Sequence, residues 1–138
     1  MLVDSSGLLA TMFPDQRTHR ECGQVLTESR GPLLLSPFIL AELDYLVTKL
    51  AGIPNELSLL REVERGAYEL VPFEVADLKR AREVIEQYSD LGIGLADASI
   101  VVLSERHSVL DLLTLDQRHF RALRGAGGRP FRILPADA

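Results

Sequence analysis

The sequence has one cysteine, no tryptophan and only 6% aromatic residues. The lone cysteine, Cys22, cannot form an internal disulfide, so we expect a reducing compartment and a cytoplasmic protein. A zinc finger is excluded because His19, His107 and His119 do not have the required spacing around a cysteine pair. Cys22 lies at helical spacing from Val25, which favours a place in the core.

Long apolar runs are also missing. The longest, Leu33–Leu35 and Ile100–Leu103, are far shorter than the roughly 20 residues that cross a bilayer. The first residues lack the pattern of a secretory signal and already read as a strand. We therefore expect no association with a membrane.

The chain has no excess of positive charge, and its net charge of −5 argues against bulk attraction to nucleic acid. Its basic residues are nevertheless concentrated, because the segment from Arg118 to Arg132 contains five arginines and no acid. Such a segment permits an anionic partner at one end of the molecule. The alternative is an ordinary solvated face.

The 138 residues are 46% hydrophobic and 25% charged, which is typical of one globular domain over residues 1–138. Strand-like segments alternate with helical ones, and the strands are continuously apolar, which predicts an α/β fold with a mainly parallel sheet covered on both faces. The predicted strands are Leu2-Val3, Pro32–Ser36, Glu69–Phe73, Val109–Leu115 and Phe131–Leu134. The predicted helices are 15–30, 38–51, 54–66, 74–88 and 95–106, with a short helix after Asp116.

Two aspartates come directly after predicted strands. Asp4 follows Leu2-Val3, and Asp116 ends the strand that begins at Val109. Because ligands of parallel sheets bind beyond the carboxyl ends of the strands, both side chains are expected at that edge. The alternative for each is a structural one, since aspartate is also common in turns and at helix caps.

Two further acids lie on predicted helices. Glu42 has apolar neighbours at three and four residues, and burying a carboxylate there is costly unless a cation or donors hold it. Asp44 has similar neighbours, so the helical pattern does not choose between them, and an ion pair with Lys49 is the structural alternative for Glu42. Asp97 lies in the first turn of an almost wholly apolar helix, where it either caps the helix or faces a cavity, a partner group or an ion.

Four carboxylates at one place would repel one another and take up protons unless a cation neutralises them. Mg²⁺, with Mn²⁺ as an alternative, suits an all-oxygen set and accepts phosphate oxygens as further ligands. Asp4, Asp97 and Asp116 are the expected metal ligands, and Glu42 would complete the shell or orient water. Arg118 and Arg121 follow closely and are expected to hold the phosphate groups of an anionic ligand.

These residues resemble the PIN-domain nucleases. The size of the chain and the sequence at its end look most like the toxin subunit of VapBC toxin–antitoxin modules. The resemblance lies in Leu2-Val3-Asp4-Ser5-Ser6, Ala41-Glu42-Leu43, Leu95-Ala96-Asp97-Ala98 and Leu113-Thr114-Leu115-Asp116, the last followed by His119-Phe120. It implies a three-layer α/β/α sandwich, Mg²⁺- or Mn²⁺-dependent cleavage of single-stranded RNA, homodimers, and inhibition by a cognate antitoxin. Ser6 and Thr114 match polar positions that accompany the acids in this family.

Two other functions are compatible with strand-end aspartates. A phosphoacceptor signalling module would also place aspartates, a threonine and Mg²⁺ at this edge. It requires a lysine just after the last strand of the site, and only arginines and His119 follow Asp116 there. The second alternative is an inactive domain that only binds a partner, which need not keep a competent acid site.

Overall fold

Five short strands form the centre of the protein, described here from Met1 to Ala138 by a computed structural model. They are β1 (Leu2–Val3), β2 (Leu34–Leu35), β3 (Glu69–Leu70), β4 (Asp111–Leu113) and β5 (Arg132–Leu134). All neighbouring strands pair in parallel, in the order β3-β2-β1-β4-β5. Every residue of β1, β2 and β4 except Asp111 is buried, which explains their continuously apolar sequence.

Seven α-helices cover this sheet. They are α1 (Ser5–Met12), α2 (His19–Glu28), α3 (Pro37–Ala51), α4 (Ile53–Glu64), α5 (Val75–Gln87), α6 (Leu95–His107) and α7 (Gln117–Phe120). Because crossovers between parallel strands are right-handed, this strand order places α1–α4 on one face and α5–α7 on the other. The predicted α/β/α sandwich with a parallel sheet is therefore confirmed. None of the helices combines the length and apolar character that a membrane span requires.

The largest difference from the sequence-based prediction lies before β2. A single helix from Asp15 to Arg30 was predicted, but α1 already begins at Ser5 and α2 begins only at His19. Residues 14–17 between them are exposed and form a turn. The apolar residues of α1 are not confined to one face, so α1 gives no amphipathic signal in the sequence, although Leu8 and Ala10 are fully buried.

The start of α1 lies unusually close to the end of β4. A Cβ atom at Gly7 would come within 2.6 Å of the Leu113 side chain and 2.9 Å of its carbonyl oxygen. Only glycine permits this approach. It brings the residues that precede Gly7, including Asp4 and Ser6, against the segment that follows β4.

A buried pair of hydroxyls joins α3 to α6. Ser36 caps α3 by accepting from the Phe38 amide at 3.2 Å, and its hydroxyl lies 2.7 Å from that of Ser99. Ser99 donates to the Ala96 carbonyl at 2.6 Å, so Ser36 is the donor of the bond between the two serines. Both side chains are at most 1% exposed. The pair holds together the two helices that carry Glu42 and Asp97.

Candidate active site

The four predicted acids converge where the strand order reverses direction. The chain leaves β1 towards β2 on one side of the sheet and leaves β4 towards β5 on the other. Asp4 and Asp116 follow these two neighbouring strands, while α3 and α6 supply Glu42 and Asp97. Open parallel sheets form their binding crevices at such a position.

Asp4 is the most deeply buried of the four acids, with 4% of its surface exposed. It occupies the position before α1, but its side chain does not cap that helix. Instead, its Oδ2 accepts hydrogen bonds from Thr114 Oγ1 at 2.6 Å and Ser6 Oγ at 2.9 Å. Burial raises the pKa of the Asp4 carboxyl above its usual range, although both hydroxyls act to lower it.

Ser6 and Thr114 also connect the Asp4 side to the Asp116 side. Thr114 Oγ1 accepts from the Asp116 amide at 3.0 Å, and Ser6 Oγ accepts from the Leu115 amide at 3.0 Å. Each hydroxyl therefore donates to a buried carboxylate and accepts from the backbone after β4. The two residues that the resemblance singled out for their polarity thus fix the geometry between two of the acids.

Glu42 faces this cluster, and Asp44 does not. The Glu42 carboxylate accepts a short hydrogen bond from Ser5, the residue next to Asp4. Asp44 has a buried Oδ1 without a hydrogen-bond partner, and its pKa is raised by burial and by Glu56 of α4. No salt bridge joins Lys49 to Glu42, and the Lys49 ammonium group lies instead 5.9 Å from the centre of the Tyr45 ring. The sequence had no signal for Ser5, whose role depends on α1 starting beside α3.

Asp97 lies in the first turn of α6 with its side chain 21% exposed. Its pKa is raised from 3.8 to about 6, mainly by burial and then by Asp4, with smaller effects from Asp116 and Glu42. All three other acids are therefore close enough to repel its negative charge. His119 is the one group that acts in the opposite direction.

Asp116 caps a helix, as its structural alternative predicts, and it also faces the other acids of the cluster. Its Oδ1 caps α7 by accepting from the His119 amide at 3.1 Å, and its Oδ2 lies 2.8 Å from His119 Nδ1. The same ring nitrogen lies 3.3 Å from Asp97 Oδ2. His119 was not among the predicted site residues, although its spacing from Asp116 at i and i+3 on a helix is a detectable signal.

The two arginines expected to bind RNA have different surroundings. Arg118 is exposed and forms no salt bridge. Arg121 binds Asp137 through two hydrogen bonds of 2.8 and 2.7 Å and also donates to Gln117. The bond from Arg121 lowers the pKa of Asp137 to about 2. Of these two arginines, only Arg121 is paired with an acid.

The chemistry of this cluster fits a divalent cation. Four carboxylates and several hydroxyls provide oxygen, and after burial, which has the largest effect, the other three acids also contribute to the raised pKa of Asp97. Asp97, Asp116 and His119 each offer an atom that could bind one ion, and these atoms lie within 4.8 Å of one another. Hard cations such as Mg²⁺ and Mn²⁺ bind carboxylate oxygens of this kind.

A model of the PIN domain family matches residues 1–126. The chain belongs to the PIN-domain family. It is also 41% identical over 135 residues to Ribonuclease VapC26 of Mycobacterium tuberculosis, covering 98% of this chain and 100% of that protein. The family resemblance drawn from the sequence is therefore confirmed. Enzymes with this domain are metal-dependent, which agrees with the acidic cluster.

Solved structures of PIN-domain toxins share the fold. The structure of Mycobacterium tuberculosis VapC20, a toxin that cleaves the sarcin–ricin loop, matches with a TM-score of 0.77 and 13% identity over 83% of this chain and 88% of that one. VapBC2 of Rickettsia felis, bound to a DNA fragment of its promoter, matches with a TM-score of 0.67 and 16% identity over 96% of both chains. At these identities the agreement concerns the fold.

Glu42→Gln and Asp44→Asn form a matched pair that tests the choice between the two acids of α3. We expect Glu42→Gln to weaken cation binding about tenfold, which removes about 1.4 kcal/mol from the stabilisation that a fixed excess of metal provides. Asp44→Asn should leave that stabilisation unchanged, because its side chain contacts Glu56 rather than the cluster. Thermal melts with and without Mn²⁺ measure both, and an equal response of the two variants would contradict the assignment.

Proposed function

We propose that this chain hydrolyses RNA phosphodiester bonds at the cluster of Asp4, Glu42, Asp97 and Asp116, and that residues 1–138 form one nuclease domain. The prediction of a VapC-type ribonuclease is confirmed by the 41% identity to Ribonuclease VapC26 over nearly the whole chain. The observation that supports the site is the convergence of four acids from β1, α3, α6 and β4 on one edge of the sheet.

In this proposal Asp4, Asp97 and Asp116 hold the cation. A bound Mg²⁺ or Mn²⁺ would supply an activated water and would polarise the scissile phosphate. Thr114 and Ser6 orient the Asp4 carboxylate, while Ser5 orients Glu42 towards the same space. Glu42 completes the shell or positions the attacking water. Neither of the two lysines of the chain, Lys49 and Lys79, follows β4, where a phosphoacceptor module requires one.

The direct test is incubation of the purified protein with total RNA, with Mg²⁺ or Mn²⁺ and with EDTA, followed by mapping of new ends. We expect cleavage that depends on added metal and disappears with EDTA. Cleavage that persists in EDTA would contradict the metal mechanism. Metal binding without any cleavage would favour the inactive partner-binding domain, and a stable acyl phosphate after incubation with a phosphodonor would favour the signalling module.

Two protein partners belong to the proposal. One chain of a solved toxin–antitoxin complex from Klebsiella pneumoniae shares the fold, with a TM-score of 0.69 and 19% identity over 91% of this chain and 93% of that one. We infer that a cognate antitoxin binds this chain and suppresses its activity.

Homodimerisation is supported by the large apolar side chains exposed on α3 and α4, including Tyr45 at 63% and Ile53 at 61%. Sedimentation of the isolated chain tests the dimer, and a monomer at micromolar concentration would contradict it.

Arg118 and Arg121 are proposed to bind RNA phosphates beside the cluster. On an inactive Asp97→Asn background, we expect Arg118→Ala to weaken RNA binding across sequences. It should also flatten the salt dependence by about 0.7 for each lost phosphate contact to a single strand. At Arg121, RNA must replace Asp137 as the partner, so Asp137→Asn should strengthen binding while Arg121→Ala weakens it.

Arg129 provides the control for these substitutions. It belongs to the same basic segment but lies before β5, at the opposite edge of the sheet, so Arg129→Ala should leave RNA affinity unchanged. Fluorescence anisotropy over a range of salt concentrations measures all four variants. Unchanged affinity and salt slope for both Arg118→Ala and Arg121→Ala would show that RNA follows another path.

A further inference from the structure

His119 is the one residue of the acidic cluster that offers a side-chain nitrogen as a metal ligand. Its Nδ1 atom lies 2.8 Å from Asp116 Oδ2 and 3.3 Å from Asp97 Oδ2. Neighbouring ligands of an octahedral cation with bonds of about 2.1 Å are about 3.0 Å apart, so the nitrogen and the two oxygens already have ligand-like spacing. Asp97 and Asp116 come from different elements, and the ring nitrogen lies between them.

The position of His119 is set by its surroundings. Its amide is bound by Asp116 Oδ1, which leaves Asp116 Oδ2 for the ring nitrogen. The next residue, Phe120, is 1% exposed and packs edge-on against Phe131 with ring centres 5.9 Å apart. The His119 side chain itself is only 22% exposed. A short helix anchored in this way holds the imidazole towards the acids and away from open solvent.

We propose that His119 Nδ1 is a ligand of the catalytic cation and makes the site select Mn²⁺ over Mg²⁺. This inference rests on the proposed function, in which Asp97 and Asp116 bind the same ion. Mg²⁺ strongly prefers oxygen ligands, whereas Mn²⁺, the first ion of the divalent transition-metal series, also favours oxygen but accepts an imidazole nitrogen more readily than Mg²⁺ does. Neutral imidazole with its proton on Nε2 offers the Nδ1 lone pair to a cation. The competing role is a hydrogen bond from Nδ1–H that only orients the two carboxylates.

His119→Asn separates these roles, because the amide of asparagine can still donate to Asp116 but provides oxygen in place of an imidazole ligand. His107→Asn, at an exposed position near the end of α6, is the control. We expect calorimetric titration to show that His119→Asn weakens Mn²⁺ binding about tenfold or more, while Mg²⁺ affinity changes less than about threefold. Equal losses for both metals, or no loss for either, would overturn the inference.

Electron spin-echo spectroscopy of the Mn²⁺-loaded protein provides a readout independent of cleavage. Coupling of the Mn²⁺ spin to a ligand ¹⁴N nucleus is expected in the wild type and in His107→Asn, and it should disappear in His119→Asn. Bound Mn²⁺ without ¹⁴N coupling in the wild type would overturn the ligand role of His119 and leave the proposed function intact. If neither Mn²⁺ nor Mg²⁺ binds the wild type at all, the proposed metal-dependent function fails as well.

Discussion

Replacing Asp97 with asparagine is expected to abolish metal-dependent RNA cleavage and to make the metal-free protein more stable at neutral pH. Loss of outer-shell partners alone typically costs 10- to 100-fold in metal affinity or activity, so loss of a direct ligand should reduce cleavage by at least about 100-fold. The gain in stability arises because a buried negative charge is removed, and with it the repulsion from the other acids, while the side-chain volume is kept.

The pH dependence of this gain follows from the raised pKa of Asp97. The folded protein holds this proton up to a pKa of about 6, against 3.8 for the unfolded chain. The unfolded state therefore binds fewer protons between these values, and wild-type stability falls as pH rises from about 4 to about 6. The shift corresponds to roughly 2–3 kcal/mol, which Asp97→Asn should recover at pH 7 but not below pH 4.

Chemical denaturation of the metal-free wild type and variant at pH 4 and pH 7 measures this difference. Asp90→Asn, at an exposed position shortly before α6, is the control and should change neither stability nor cleavage. A large loss of stability in metal-free Asp97→Asn would identify Asp97 as a structural residue of the helix start. Cleavage at the wild-type rate would remove it from the active site.

Thr114→Val should produce the second large effect, on stability and on metal binding together. The substitution keeps the shape of a side chain that is 1% exposed. It removes the 2.6 Å hydrogen bond to Asp4 and the acceptor of the Asp116 amide. Asp4 then keeps the hydrogen bond from Ser6, and losing the two bonds of Thr114 should cost about 1–3 kcal/mol. Metal affinity should fall by about 10- to 100-fold, as for other groups that orient metal ligands.

Thr114→Ser is the matched control because it restores the hydroxyl and removes only a methyl group. Thr114→Ser should recover most of the metal affinity. Thr114→Val should in addition bind metal only at a higher pH, because the hydrogen bond that it loses lowers the pKa of Asp4. Calorimetric titration with Mn²⁺ at several pH values measures both effects. If valine and serine behave alike, the hydroxyl does not hold Asp4, and the network between β1 and β4 has been misassigned.

The sequence by itself determined the class of fold and the family, and it predicted the acids of the proposed site. Short apolar strands alternating with helices require a covered parallel sheet, and this pattern is local enough to be read without coordinates. Placing Asp4 and Asp116 at one edge follows from the shared direction of parallel strands. Together with Glu42 and Asp97, these residues were sufficient to indicate the family.

Tertiary structure decided which side chains meet. Glu42 and Asp44 have equivalent apolar neighbours along α3, and only the packing of α1 and α4 against that helix directs one to Ser5 and the other to Glu56. The bond from Thr114 to Asp4 joins residues 110 positions apart and depends on the pairing of β1 with β4.

The same limit explains His119 and Arg121. Sequence spacing could place His119 near Asp116, but its contact with Asp97 requires that α6 and α7 meet at the sheet edge. The salt bridge between Arg121 and Asp137 forms because the residues after β5 turn back towards α7. Periodicity in a sequence reports the face that an element buries, whereas the partner of a polar side chain is set by the register and packing of segments far apart in the chain.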